Sequence, residues 1–301
     1  MSSFYSHGKL LITAEYAVLS GAKALAIPCK KGQLLNFKVD NKSKELNWSS
    51  FDHIGEKWFE VIFQLPSFEI EMSSDMSIAK RLQEILSFSK KRNSSFLSNG
   101  GYVETHLEFN RFWGLGSSST LIINVASWAK INPYDLLNFT FGGSGYDIAC
   151  GLAKKPIFFT KKEKKNHVET ITFSPPFADQ LYFVYLNHKK NSQQAIKEFE
   201  LKNLSNYHIE ELNSLTNVIS STNNLNEFEK AIEDHERIIG SIINQRPIKE
   251  DLFTDFSGSI KSLGAWGGDF ILVSKGSSSL DYFEKKGLTT ILSWKEMCLI
   301  N

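Results

Sequence analysis

Arg111-Phe112-Trp113-Gly114-Leu115-Gly116-Ser117-Ser118-Ser119-Thr120 runs without a break into Leu121-Ile122-Ile123-Asn124-Val125-Ala126-Ser127-Trp128-Ala129. The first half is glycine- and hydroxyl-rich and the second is apolar, which is the signature of a loop opening a helix. Glycine lets backbone approach a ligand, and serine offers hydroxyls and cap chemistry. The first helical turn adds unpaired N–H groups at the positive end of the helix dipole. An anion suits such a place, and phosphate is the usual one. Alone, the stretch reads rather as an ordinary Ser-capped helix after a glycine turn.

Working outward toward the N-terminus, residues 4–12 read as a strand carrying Ser6-His7-Gly8-Lys9 and then apolar Leu10, Leu11 and Ile12. Lys9, inside a half-buried strand, is either a snorkelling edge residue or an ammonium aimed at a phosphate pocket. Ala14-Glu15-Tyr16-Ala17-Val18-Leu19-Ser20-Gly21 reads as a short turn or helix closed by Gly21. Two further strands are expected at 24–28 and 33–39, then a polar turn over 42–48 and a strand over 58–65. An amphipathic helix is expected over 76–88, with Ile78, Leu82, Ile85 and Leu86 on one face, and a strand over 102–109. His106 on that strand reads as a surface or satisfied histidine.

Past the central helix, Asn132-Pro133-Tyr134 reads as a turn, and Gly142-Gly143-Ser144-Gly145-Tyr146-Asp147 as a glycine loop whose aspartate, by itself, is a turn residue. Six lysines, Lys154, Lys155, Lys161, Lys162, Lys164 and Lys165, make a basic run, either a solvated hairpin tip or a patch that draws in anions. After a hinge at Ser174-Pro175-Pro176 come a strand at 181–186 and helices at 193–204, 209–219 and 225–243. His235 reads as a packed histidine of the last helix. Lys261-Ser262-Leu263-Gly264-Ala265-Trp266-Gly267-Gly268-Asp269 is a second glycine loop, entering a strand.

Bulk properties narrow the classes. The 301 residues carry 34 basic and 33 acidic side chains, a formal net charge of +1, so no nucleic-acid or acidic-membrane partner is expected. Cys29, Cys150 and Cys298 are far apart and odd in number, arguing against a disulfide framework or zinc site. No basic-then-apolar leader is read at the N-terminus, and no apolar run reaches the roughly 18 residues of a membrane span. A cytoplasmic protein is expected, with hydrophobic residues at 42%, enough for two cores.

Three stretches together resemble the motifs of the GHMP kinases, the family of galactokinase, homoserine kinase, mevalonate kinase and phosphomevalonate kinase. His7-Gly8-Lys9 through Glu15-Tyr16-Ala17-Val18-Leu19 resembles the first motif, with His7 for the usual proline and Ala14 for the usual glycine. Gly114-Leu115-Gly116-Ser117-Ser118-Ser119 is similar to the phosphate-wrapping second motif, and it is not a Walker A loop, which would need a lysine just after its last glycine. Gly264-Ala265-Trp266-Gly267-Gly268-Asp269 resembles the third, with Trp266 where a glycine is common and able to narrow the pocket. The wording is most similar to the mevalonate-pathway kinases.

The resemblance implies an α+β fold of two domains, 1–175 like ribosomal protein S5 domain 2 and binding ATP, and 176–301 ferredoxin-like. It implies ATP and Mg²⁺ as cofactors and transfer of a phosphoryl group to a small-molecule acceptor, mevalonate or phosphomevalonate. Lys9 and Asp147 become the catalytic pair, and Gly114, Leu115, Gly116, Ser117, Ser118, Ser119, Thr120, Gly264 and Ala265 the ATP contacts. Ser118 becomes the metal ligand, and Glu15, Ser144, Gly145, Ser192, Gly267 and Gly268 the acceptor contacts. A glutamate that mevalonate kinase-like members carry shortly before the Ser-Gly-x-Asp element has no counterpart in Leu136-Leu137-Asn138-Phe139-Thr140. Other readings stay open: a diphosphomevalonate decarboxylase, a sugar or homoserine kinase, or a nucleotide-binding relative without chemistry. A homodimer is compatible with all of them.

Overall fold

The computed structural model describes residues 1–188, 199, 204–264, 266, 268–275 and 279–299. The chain forms two compact units that alternate along the sequence. Met1–Gly8, Lys31–Arg111 and Leu115–Leu152 make the first, and Lys9–Lys30, Phe112–Gly114 and Ala153–Asn301 the second.

In the first unit, the leading part of β1 (Ser2–Leu11) and the trailing part of β2 (Ala24–Asp40) join β3 (Glu45–Phe51), β4 (Lys57–Gln64), β5 (Glu69–Ser73) and β6 (Gly100–Leu107). The order is β5-β4-β3-β6-β2, with β3 and β6 parallel and the other pairs antiparallel. Strict alternation of burial in β3 and β4 turns one face inward, as a two-residue side-chain period requires. On that face Leu46, Trp48, Phe59, Val61, Phe63 and Val103 meet α1 (Met76–Arg92) and α2 (Ser117–Ala129) through Leu82, Ile85, Leu86, Ile122 and Val125. Asp75 caps α1, its carboxylate accepting from the N–H groups of Ser77 and Ile78. The unit closes with α3 (Pro133–Thr140) and α4 (Tyr146–Ala153).

Three local expectations change. Residues 45–48, expected within a polar turn over 42–48, begin β3, because their apolar members Leu46 and Trp48 are recruited to the core by β4 and β6. The two strands expected at 24–28 and 33–39 are one continuous strand. Gly32 lets it pass, since a Cβ there would meet the Ser6 carbonyl at 2.2 Å. The turn expected at Asn132-Pro133-Tyr134 is the start of α3. Asn132 caps the helix and Pro133 fills its first turn, a pairing that carries its own sequence signal.

In the second unit, residues 24–26 of β2 pair with β7 (Ile157–Thr160), and β7 with β8 (His167–Thr170). A four-stranded antiparallel sheet follows in the order β10-β11-β9-β12, where β9 is Leu181–Tyr185, β10 Ile260–Ser262, β11 Phe270–Ser274 and β12 Ile291–Ser293. Its helices are α5 (Asn206–Ser221), α6 (Leu225–Ile243), α7 (Ile248–Leu252), α8 (Asp281–Lys285) and α9 (Trp294–Met297). One core joins Val184, Ile271 and Val273 of the sheet to Phe253, Phe256 and Phe283. Of the six-lysine run, Lys154 and Lys155 precede β7, while Lys161, Lys162, Lys164 and Lys165 lie on the β7–β8 connection and are solvent-exposed. Of the helix expected at 193–204, only Phe199 and Leu204 are described. Cys29, Cys150 and Cys298 are buried free thiols.

Candidate active site

In the first unit the central stretch does what its composition dictates. Gly116 stands at the N-cap of α2 in the left-handed region (φ 88°), and no side chain caps the helix. The first-turn N–H groups therefore point away from any intrahelical partner. Leu115 is buried and anchors the loop from below. The approach is tight. A Cβ on Gly8 would lie 3.0 Å from the Leu115 carbonyl, 3.2 Å from that of Lys31 and 3.3 Å from the Phe109 ring.

The hydroxyls then divide. Ser119 donates to the Gly116 carbonyl at 2.9 Å. Thr120 donates to the Gln33 side chain at 2.7 Å and lies 2.9 Å from the Ser117 carbonyl. Both side chains are buried and belong to the scaffold. Asn124 extends that scaffold, donating to the Gln33 carbonyl and accepting from Ser6. Ser118 is exposed and Ser117 partly so, which leaves these two hydroxyls outside the buried scaffold.

Asp147 lies in the first turn of α4, partly buried, with its carboxylate accepting from the N–H of Ile148 at 3.0 Å. Its negative charge reaches Tyr134, whose phenol is raised first by burial and then by Asp147. Gly142, Gly143 and Gly145 all have positive φ, so the loop ahead of α4 takes a path open to glycine. Ser144 accepts from the N–H of Tyr146 at 3.3 Å. Gly151, one turn after Asp147, abuts α2: a Cβ there would sit 2.5 Å from the Ile123 side chain. An exposed serine hydroxyl and a carboxylate are hard oxygen donors of the kind Mg²⁺ accepts while keeping waters and phosphate oxygens as its other ligands. Among the described residues no group of three His, Cys, Asp or Glu side chains gathers as a metal site.

In the second unit Lys9 donates to the Gly114 carbonyl at 2.9 Å. Its charge is felt by the buried Cys29 thiol, which burial nonetheless pushes up to about 12. Gly114 has φ 67°, and a Cβ on it would fall 2.2 Å from an oxygen of the Asp269 carboxylate. Tyr185 donates to the Phe112 carbonyl at 3.2 Å, and the Trp113 ring meets Phe270 edge to face. Gly264, with φ 65°, also neighbours Asp269, a Cβ there standing 3.7 Å from Oδ2. Gly268 is buried beside it, while Ala265, Gly267 and Ser192 lie outside the described residues.

Glu15 is fully buried and salt-bridged to Lys261, itself fully buried on β10. The Lys261 ammonium also donates to the Ser262 carbonyl at 3.0 Å and lies 3.7 Å from Glu236 of α6. Glu236 in turn accepts from the Ser262 N–H and hydroxyl. His235 accepts the Ala14 N–H on Nε2 at 2.9 Å, which places the neutral ring's proton on Nδ1, 3.8 Å from Glu15. Burial dominates the titration of all three. It lifts Glu15 to about 7 against the pull of Lys261, raises Glu236, and holds His235 well below its usual value with Lys261 adding to the effect. The Ala14 N–H reaches His235 because Ala14 holds φ 62°, in the motif position where the family resemblance expects glycine. The Trp266 ring is buried against Gly240 of α6, 3.2 Å from where a Cβ would stand. Its bulk is therefore absorbed by a glycine notch in the helix.

No protein-family model matches the sequence, and no curated protein matches it. Solved structures do. The Methanococcus jannaschii mevalonate kinase aligns over 100% of this chain and 98% of its own, with a TM-score of 0.70 at 13% identity. The Streptococcus pneumoniae phosphomevalonate kinase, in complex with phosphomevalonate and AMPPNP, aligns over 97% of this chain and 100% of its own, also at 0.70 and 13%. The Lactococcus lactis galactokinase complexed with galactose covers 94% and 87%, at 0.67 and 13%. The fold is that of the GHMP kinases. At this identity the likeness carries the α+β architecture; the second and third glycine motifs lie on connections and the first begins within β1. Sequence reading overlooked what Lys261, Glu236 and Tyr185 do in this GHMP kinase fold, for no local pattern marks them. Asp269 was visible only as the last letter of its motif.

Proposed function

We infer that the protein is an ATP- and Mg²⁺-dependent GHMP kinase that transfers the terminal phosphoryl group of ATP to mevalonate or phosphomevalonate. The observation that carries this reading is the uncapped N-terminus of α2 behind Gly114-Leu115-Gly116, set in a fold shared over its whole length with kinases of that kind. Neighbours in complex with AMPPNP and phosphomevalonate, and with galactose, support a nucleotide and a small hydroxylated acceptor as the ligands.

Phosphoryl transfer is mostly positioning and charge neutralisation. In this reading the N–H groups from Gly116 to Ser119, with Gly264 and Ala265, cradle the phosphates, and the Lys9 ammonium offsets their charge. The Ser118 hydroxyl would hold Mg²⁺, which when bound neutralises charge on the transferring group. Asp147 orients the acceptor hydroxyl and takes its proton. Ser144, Gly145, Ser192, Gly267 and Gly268 line the acceptor, and Glu15 supports it from beneath through its buried pair with Lys261.

ADP release by the purified protein with Mg²⁺-ATP, measured with mevalonate and with phosphomevalonate side by side, tests the reading. Turnover with one of them fixes the acceptor. Silence with both, while ATP still binds, shifts the reading to a sugar-type acceptor such as galactose or to a nucleotide-binding protein without chemistry. The second of these is favoured by the absence of a carboxylate from residues 136–140.

A further inference from the structure

A carboxylate stands where an anion-binding loop has least use for one. Asp269 is 6% exposed and sits against Gly114 so closely that only glycine fits there, a Cβ falling 2.2 Å from Oδ2, 2.4 Å from Cγ and 2.9 Å from Oδ1. The same residue, Gly114, offers its carbonyl to the Lys9 ammonium at 2.9 Å. A positive and a negative side chain thus grip one residue of the loop. Charges this close to one residue act on it well inside the distance at which salt screens.

The aspartate is held in place by backbone rather than by chance rotamer. Asp269 has φ 56°, its N–H donates to the His188 carbonyl at 2.7 Å, and its carbonyl accepts from Leu186 at 2.9 Å. A non-glycine residue in the left-handed region is strained, and strain of this kind persists where surrounding structure insists on it. Its charge is felt locally: Tyr185, whose hydroxyl binds the Phe112 carbonyl, has its phenol raised by burial and then by Asp269.

We propose that Asp269 is a specificity-determining residue that makes nucleotide binding depend on the divalent cation. Its fixed negative charge beside Gly114 repels the phosphates of metal-free ATP and tolerates those whose charge a cation has offset. Lys9 alone would attract both forms, and Asp269 cancels that attraction for the more highly charged one. The proposal rests on the kinase reading above and deepens it, assigning the preferred ligand as the cation complex of a nucleoside triphosphate.

The test is equilibrium binding of ATP, by calorimetry, to the wild-type protein and to Asp269→Asn, once with Mg²⁺ and once with EDTA. Asparagine is the suitable replacement, because it keeps the shape and is the side chain, with aspartate, that best accepts left-handed backbone. The expected result is that wild type binds ATP more weakly in EDTA. In the variant that ratio should shrink by about tenfold or more, chiefly because metal-free ATP binds more tightly. A role confined to holding the loop would weaken both forms alike, so an unchanged ratio overturns the proposal. Asp269→Ser serves as a second variant, and if neither variant folds by thermal melting, the residue is structural and the proposal also falls. Failure of wild type to bind ATP with Mg²⁺ would instead refute the nucleotide reading itself, a distinct outcome from wild-type binding with an unaltered ratio.

Discussion

Replacing Lys261 with methionine removes the cation that two buried carboxylates share. The ammonium pairs with Glu15, approaches Glu236 at 3.7 Å and sits on a fully buried side chain. Methionine preserves most of the volume, so the cost is chiefly electrostatic. Breaking a buried pair by removing one partner costs about 3–5 kcal/mol. At roughly 2–4 °C per kcal/mol this is a fall in Tm of roughly 6–20 °C.

The sign with pH follows from Glu15. Its folded pKa, about 7, already exceeds the ordinary value of 4.5, because burial outweighs the attraction of Lys261, and without that attraction it rises further. A group whose folded pKa is raised contributes stability that is intact below the unfolded value and lost as pH climbs toward the folded one. The Lys261→Met deficit is therefore smallest near pH 5 and grows through pH 7 and above. His235 acts in the same direction, since loss of Lys261 relieves one of the two causes that keep its pKa low. Thermal melts of both proteins at pH 5, 7 and 8.5, with Glu15→Gln/Lys261→Met as a partial rescue, measure this. A deficit below about 2 °C at every pH would refute the reasoning, for it would mean that losing the ammonium leaves no uncompensated carboxylate charge in the folded protein.

Other outcomes follow from single side chains. Asp147→Asn should leave nucleotide affinity within about threefold of wild type and lower turnover by about a hundredfold or more, read from steady-state ADP release and ATP titration. Gly114→Ala drives a methyl into the Asp269 carboxylate at a φ of 67°, and an ATP titration should register a loss of about tenfold or more in affinity. Gly8→Ala presses on the Leu115 carbonyl at 3.0 Å and should cost about 1–3 kcal/mol in urea unfolding. Gly240→Ala meets the Gln245 carbonyl at 2.7 Å and the Trp266 ring at 3.2 Å. It should destabilise by a similar amount and alter Trp266 fluorescence, whereas an unchanged emission would argue against that packing.

Much of this protein was legible residue by residue. The loop at 114–120 and its helix follow from glycines, serines and an apolar run, because the relevant chemistry is backbone freedom and unpaired N–H groups, both set by near neighbours. The amphipathic pattern of α1 and the Gly21 closure of the turn after Tyr16 were readable for the same reason. The three motifs also announced the fold, which the solved kinases share. The strand at 45–51 was not legible, since it is rich in polar residues and only distant partners, Val61 and Phe63 on β4 and Gly101 and Val103 on β6, make Leu46 and Trp48 a core.

What tertiary structure alone decided is which groups are charged neighbours. Glu15 and Lys261 are 246 positions apart, Gly114 and Asp269 lie on different motifs, and Trp266 fits a notch at Gly240 that no local pattern marks. Likewise Thr120, read as a ligand contact, is committed to Gln33, 87 positions away, leaving Ser117 and Ser118 to face outward. Sequence determines backbone propensity over a few residues. Burial, pairing and pKa depend on which distant segments the core brings together, because desolvation and Coulomb attraction act through space and not along the chain.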